Sequence, residues 1–465
     1  MMQSYGSAKF WLTGQVRYES PNPRDPKNKP SEFYLTCAAT RFFRRELTEG
    51  GDGVSYAESL RELFERINKL NATFIREKSG LVLAGIFQLF LSGVRYIPLA
   101  GRCHRNRPCG IVKKDETNLP AADPCKSGVV NLLLHLLFKE VTVLFINKTV
   151  SDPSNMYAYR LNLETLLNFN GDIQKYRLKF EGWHKDKHDK MDEAEPNDNT
   201  GLVERRKYSA ESPDIVLIGR PHEDVFHIDK LIPAGIDGSV KFMPNDDKFF
   251  IMSSDGDNLG PKVIIDDMNL IICTKQLSDA AELAHQTLVG NINMRLPYTR
   301  VLMKHVAIPA NSSTMCLDNI FTGVLPDLVV MGFVTDTAFA GSYTENPYNF
   351  KNFKIKRMDL FRNGTRVPQF GYLPNFTKKI YNQAYFTFQE QLGFDQGDRC
   401  VNISPEEWAD GFNLYSFKIT DGPIGSGTVG PRSHSETGSA RLEFDFETAP
   451  QSNLKLIIVL ISRNV

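Results

Sequence analysis

The sequence predicts an all-β chain folded as two β-sandwiches in tandem. Three observations carry this. Short apolar or alternating segments of strand length recur along the chain, turn residues and long polar connections separate them, and 465 residues exceed one ordinary domain. No self-similarity at a period of roughly 20–50 residues is visible, which excludes solenoids and propellers.

Composition narrows the function classes. Hydrophobic residues make up 41% of the chain, ample for sizeable cores. Lys plus Arg equals Asp plus Glu at 55 each, so the basic excess of a dedicated nucleic-acid binder is missing. Residues 1–10 lack the charged and apolar regions of a secretory signal. The apolar tract 81–91 is interrupted by Gln88 and is shorter than the roughly 18 residues a membrane span needs. The expectation is an intracellular chain that is not secreted and has no membrane span. Seven cysteines form no evident disulfide framework.

Residues 1–100 form an atypical, partly helical first segment. Residues 20–32, rich in proline, asparagine and charge, read as a loop. Ser55 and Glu58 make a capping box ahead of Leu60, Leu63, Phe64, Ile67 and Leu70, which predicts a helix over 55–75. The apolar tract after Gly80 suits either a buried strand or a helix.

Residues 101–280 contain the strands of the first sandwich. Residues 141–146 form an apolar run of strand length, and Leu161, Leu163, Leu166 and Leu167 suit one or two helical turns. Residues 183–199 are charged and read as a long exposed loop. Residues 215–218 are β-branched and apolar. Residues 240–243 and 249–252 flank Asn245-Asp246-Asp247, as a hairpin would, and 263–273 supply a further strand or two.

Residues 281–465 form the second sandwich. Ala440, Leu442, Phe444 and Phe446 alternate with Arg441, Glu443, Asp445 and Glu447, one face for a core and one for water. Residues 454–461 are apolar on both faces and read as a fully buried strand. Residues 329–334 and 414–419 are further strands, and Asn363-Gly364 is a two-residue hairpin turn. A helix is expected over 377–392, and 420–438 is a polar connection.

Chemistry is sparse. The phosphate-binding GxxxxGK[ST] and GxGxxG loops and the GxSxG elbow are absent. Cys103, His104, Cys109 and Cys125 are soft-metal ligand types without the close pairing of a zinc site. His184 and His188 stand four apart but in a charged segment that reads as loop, without an HExxH glutamate. The run Ser254-Asp255-Gly256-Asp257-Asn258 lacks the ligand order of a calcium loop and reads as a turn. Asp266-Asp267 on a strand would diverge, and Ser404-Pro405-Glu406-Glu407 reads as a helix start. His222 and His227, five apart on a strand, would face opposite ways, so a metal-dependent enzyme on this scaffold is not supported. The expectation is no catalytic residue, no metal site and no cofactor.

Beyond these clusters, a series of motifs runs in order along the chain. Residues 128–138 (GVVNLLLHLLF) run into Val141-Thr142-Val143, and Met156-Tyr157-Ala158-Tyr159-Arg160 is followed by Leu163-Glu164-Thr165-Leu166-Leu167-Asn168. Further matches are Asn199-Thr200-Gly201-Leu202 with Arg205-Arg206, then Leu217-Ile218-Gly219-Arg220-Pro221-His222, and Gly235-Ile236-Asp237. The second half adds Ala307-Ile308-Pro309-Ala310-Asn311, residues 318–326 (DNIFTGVLP), Phe339-Ala340-Gly341-Ser342-Tyr343, Asn346-Pro347-Tyr348-Asn349-Phe350 and residues 407–412 (EWADGF).

In this order the motifs resemble the double jelly-roll major capsid proteins of the Polinton (Maverick) and adintovirus group, and the resemblance implies two jelly rolls in one polypeptide. It implies homotrimers that form pseudo-hexameric capsomers of an icosahedral virion, with penton and minor capsid proteins as partners and no small-molecule substrate. Residues 183–199 and 420–438 are then candidate inter-subunit contacts. Two departures stand out. Residues 1–100 do not resemble the family's N-terminus, and Ile146-Asn147 replaces an Asn-Gly turn. The competing expectation is a β-sandwich carbohydrate- or protein-binding module using Tyr343, Tyr348 and Phe350.

Overall fold

A computed structural model describes the strands 33–36 and 81–98 together with residues 127–194, 198–206, 215–228, 232, 236–254, 261–291, 299–394, 400–420 and 437–462. The strands of the first part are β1 (Phe33–Thr36), β2 (Leu81–Pro98), β3 (Ser127–Val129), β4 (Phe138–Phe145), β5 (Lys148–Thr149), β6 (Ile215–Gly219), β7 (Gly238–Pro244), β8 (Ile251–Ser253) and β9 (Pro261–Gln276). Those of the second part are β10 (Arg300–Ile308), β11 (Thr314–Val324), β12 (Leu328–Thr335), β13 (Ile355–Arg362), β14 (Thr365–Tyr372), β15 (Leu414–Lys418), β16 (Thr437–Phe446) and β17 (Leu454–Ser462).

In the second part, side-chain alternation and strand order explain each other. β16 buries Ala440, Leu442, Phe444 and Phe446 and turns Arg441 and Glu443 outward. β17 lies inside its sheet between β10 and β12, and its run from Leu456 to Leu460 is buried throughout. The two sheets read β10-β17-β12-β15 and β11-β16-β13-β14. Lettered B to I along the chain, they are B-I-D-G and C-H-E-F, the order produced by two interleaved Greek keys, a jelly roll. Phe333 of β12 meets Phe444 of β16 across the sandwich at a ring separation of 5.3 Å. The Asn363-Gly364 turn joins β13 to β14 with both residues at positive φ, as the sequence predicts.

The first part repeats part of the same permutation. Its sheet β1-β7-β4-β5 occupies the C-H-E-F order, and β3 pairs with β8 as β12 pairs with β17. A separate three-stranded sheet, β6-β2-β9, accompanies them. The chain is thus a double jelly roll, and every strand ladder among the described residues is antiparallel. Among those residues no helix is long and apolar enough to cross a membrane.

Several expectations are corrected. The first hundred residues supply two strands, β1 and β2, and the ambiguous tract after Gly80 is the long strand β2. The helix expected over 55–75 lies outside the described residues. Residues 240–252 are not a hairpin: β7 pairs with β1 and β4, the turn Asp247–Phe250 is helical, and β8 pairs with β3 in a different sheet. Their similar apolar composition conceals different partners, because strand pairing is decided by long-range contacts. The helix expected over 377–392 begins only at Asn382 and runs eleven residues to Leu392. Leu161–Leu167 belong to a full twelve-residue helix, Tyr157–Asn168. Most of 420–438, namely 421–436, lies outside the described residues.

The β4–β5 hairpin survives without its glycine. Ile146 (φ 47°) and Asn147 (φ 60°) both take the left-handed conformation that a two-residue turn between twisted strands demands. For a β-branched residue this is strained by about 1 kcal/mol or more, and the Ile146 side chain, 66% exposed, gains little from burial. The double substitution Ile146→Asn, Asn147→Gly is expected to raise unfolding stability by about 1 kcal/mol, read as a higher denaturant midpoint at unchanged slope. An unchanged or lower midpoint would show that the turn is not strained.

Candidate functional site

The two sandwiches are joined by buried polar side chains, and the centre of the junction is Arg160. It lies on the helix Tyr157–Asn168, a dense apolar segment that is buried on nearly every face. A guanidinium cannot shed its charge, so burying it requires carboxylate partners. Arg160, 2% exposed, donates from Nε to Glu164 Oε1 at 2.9 Å, from Nη1 to Glu223 Oε2 at 3.2 Å and from Nη2 to Asp224 Oδ1. Asp224 then accepts from the Val301 amide of β10 at 3.3 Å, carrying the network into the second sandwich. Asp152 does the same for the Met303 amide at 2.8 Å.

One cation cannot ionise three buried carboxyls equally. Burial opposes the charge of Glu164, but Arg160 and the hydrogen bond from His222 overcome it and hold its pKa down at about 2. Burial dominates at the other two, raising Glu223 to about 8 and Asp224 to about 6.

Beside this network sits a second buried group. His135, on the short helix Leu133–Leu136, is fully enclosed; its Nδ1 is 3.0 Å from the Tyr157 hydroxyl and its Nε2 is 3.2 Å from Glu181 Oε2. His222 Nδ1 lies 2.8 Å from Glu164 Oε2, and its backbone amide donates to the Tyr157 hydroxyl at 3.2 Å. The His135 and His222 rings are 5.5 Å apart, and His227 is 5.4 Å from His222. Burial lowers the pKa of His135 and pushes His227 down to about 3, aided by neighbouring His222. Sequence reasoning placed His222 and His227 on opposite faces of a strand. They lie instead in a loop that closes into the 3-10 turn Asp224–His227, which brings the rings to one side. His135 went unnoticed. The one available signal was a lone histidine inside the apolar run LLLHLLF.

A second clasp is formed by residues 183–194, which the sequence presented as an exposed loop. Trp183, Asp186 and Met191 are buried. Asp186 pairs with fully buried Arg205 at 2.6 Å and receives Asn346 Nδ2 at 3.4 Å. Asp192 accepts from the Asn346 amide at 2.9 Å and from Asn349 Nδ2 at 2.8 Å, and pairs with Lys351 at 2.7 Å. Lys185 crosses to Glu407 at 2.7 Å. The charges that suggested exposure are the junction's own partners. Gly411, at φ 93°, lets this segment approach so closely that a β-carbon there would stand 2.7 Å from the His188 carbonyl oxygen.

The other sequence candidates fare differently. Cys103, His104, Cys109 and Cys125 lie outside the described residues, as do residues 255–258 of the turn beginning at Ser254. His184 and His188 do not share a helix; His188 opens a separate 3-10 turn. Asp266 and Asp267 are strand residues of β9. Ser404 and Glu407 form the predicted capping box, with Ser404 Oγ accepting from the Glu407 amide at 3.2 Å and Glu407 Oε2 accepting from the Ser404 amide at 2.7 Å. Tyr343, Tyr348 and Phe350 are buried at 8%, 1% and 0% exposure, and Tyr348 donates to the Ala158 carbonyl at 2.9 Å. They are packing, not a binding surface. A cleft lined by Trp183, Lys185 and Asn402 measures about 240 Å³, below the roughly 300 Å³ at which small-molecule sites begin.

No family model matches the chain. An uncharacterized Caenorhabditis elegans protein, F54H12.2, is 19% identical over 329 residues, which cover 69% of this chain and 75% of that protein. Among solved structures, the chain is similar to the Faustovirus major capsid protein at 7% identity and TM-score 0.49, covering 100% of this chain and 91% of that one. It is also similar to a chain of the Sputnik virophage structure at 9% identity and TM-score 0.47, covering 99% and 87%. A chain of the PBCV-1 virus capsid gives 9% identity and TM-score 0.45, covering 83% and 88%. The fold assignment rests on the strand order of the sheets described above.

Proposed function

We propose that the chain is a major capsid protein of the Polinton/adintovirus kind, encoded by an integrated element. Three copies form a pseudo-hexameric capsomer that tiles an icosahedral shell, with penton and minor capsid proteins as partners. The observation that carries this reading is spatial. Motifs that resemble the capsid family, far apart in sequence, meet at the junction of two jelly rolls. Arg160 and Glu164 come from one, Arg205 from another, His222 from a third, and Asn346, Tyr348 and Asn349 from a fourth.

A shell subunit must hold its two sandwiches in one orientation while neighbours pull on it. Buried ion pairs and paired amides suit that task, because swinging the sandwiches apart would strand charges in an apolar setting. The work is structural and requires no catalytic residue and no small-molecule substrate. We divide the sandwiches at about residue 280, a reading supported by the helix Asp279–Asn291 that starts there. Residues 183–194 are committed to the chain's own junction, which leaves 420–438 as the stronger inter-subunit contact. The protein's place is the virion, with assembly inside the host cell.

Light scattering of the purified chain, followed by negative-stain imaging, tests the reading. A trimer with a pseudo-hexagonal outline is expected; a stably folded monomer at every concentration would reject it. Two substitutions test the junction. Arg160→Met leaves buried carboxyls without their cation and is expected to cost about 3–5 kcal/mol of stability. Tyr348→Phe removes a single hydrogen bond and should cost about 1 kcal/mol. Comparable small losses for both, measured by chemical denaturation, would show that the junction does not depend on Arg160.

A further inference from the structure

We propose that His135, Glu181 and His222 form a binding site for a transition-metal ion of the zinc class, within the first sandwich. One ligand atom from each of the three lies within 4.8 Å of the other two, and all three residues are buried. Two imidazoles and one carboxylate are a donor set that zinc accepts, with a fourth position left for water or another oxygen.

The surroundings aim the ligands. His222 Nδ1 faces the Glu164 carboxylate at 2.8 Å, so Nδ1 carries the proton and donates. Its other nitrogen, Nε2, is then the one with a lone pair to give. At His135, Nδ1 is 3.0 Å from the Tyr157 hydroxyl and Nε2 is 3.2 Å from Glu181 Oε2; an ion between Nε2 and Glu181 would displace the Nε2 proton, with Nδ1–H then donating to the Tyr157 oxygen. An oxygen partner on the outward nitrogen of each ligating histidine is the outer shell typical of metal sites, where it sets tautomer and ring orientation. Tyr157 serves both histidines, since it also accepts the His222 amide at 3.2 Å.

The three ligands arrive on separate elements. His135 is on the helix Leu133–Leu136, Glu181 ends the 3-10 turn Leu178–Glu181, and His222 follows β6. His135 Nε2 and Glu181 Oε2 are 3.2 Å apart, the spacing of two ligands on one tetrahedral ion at about 2.0–2.1 Å each. An ion here would tie three chain segments together next to Arg160. This departs from the sequence expectation of no metal site.

The test uses the full chain, stripped with EDTA and dialysed against Co2+ or Zn2+. The expected result is one ion per chain by elemental analysis, a visible Co2+ spectrum of a tetrahedral nitrogen–oxygen site, and a melting temperature raised by Zn2+. Glu181→Gln and His222→Gln should each abolish the spectrum. Tyr157→Phe should weaken binding about tenfold. A variant with His184→Ala and His188→Ala should bind normally, since those residues lie outside the site.

Uptake well below one ion per chain by the unaltered protein would overturn the proposal. So would an unchanged spectrum in folded Glu181→Gln and His222→Gln, or its loss in the His184/His188 variant. If the ligand variants do not fold, the stoichiometry and spectrum of the unaltered chain and of the His184/His188 variant decide.

Discussion

The burial of Arg160 is the constraint from which the junction follows. A guanidinium keeps its charge at any ordinary pH, so an interior that encloses it must bring anions and acceptors to all its nitrogens. Here they come from its own helix, as Glu164, and from the loop after β6, as Glu223 and Asp224. Because Asp224 also receives an amide of β10, the cation's position dictates where the second sandwich begins relative to the first. The same carboxylate that neutralises Arg160, Glu164, orients His222, so the histidine cluster inherits its geometry from the ion pair. Such a network is costly to desolvate and contributes definition of the interface more than raw stability.

The jelly-roll order solves a second problem. An antiparallel sheet exposes unpaired edges, and a sheet packed on one face needs a partner layer. In the second sandwich the most apolar strand, β17, is interior to its sheet, and the alternating strand β16 is interior to the facing one. Aromatic rings from both layers then meet in the middle, as Phe333 does with Phe444, and Tyr372 with Tyr415 at 5.1 Å. The first sandwich repeats the order β1-β7-β4-β5 and the β3–β8 pair, while β2 and β9 pair over most of their length in a separate three-stranded sheet. The first hundred residues contribute β1 to one of its sheets, although that stretch does not resemble the capsid family in sequence.

Much of the fold was legible because the relevant signals are local. The alternation of Ala440 to Phe446, the two-sided apolar run of β17, the Asn363-Gly364 turn and the Ser404 capping box each depend on a few neighbouring residues. Where reading failed, the deciding contact was remote. Residues 240–252 look like a hairpin until β7 and β8 choose partners in different sheets. Residues 183–194 look solvated because their charges are many. Those charges are matched by Arg205 at one end and by Asn346, Asn349, Lys351 and Glu407 at the other.

By itself, the sequence determined the β class, the two-sandwich organisation and most strand positions, since periodicity and turn chemistry act within a few residues. Only the tertiary structure decided which polar side chains are buried and what they meet. Glu181 reaches His135 across 46 positions, and Asp224 reaches Arg160 across 64. No spacing rule spans such separations, because a buried charge selects its partner by distance in space after the sheets have closed, not by position along the chain.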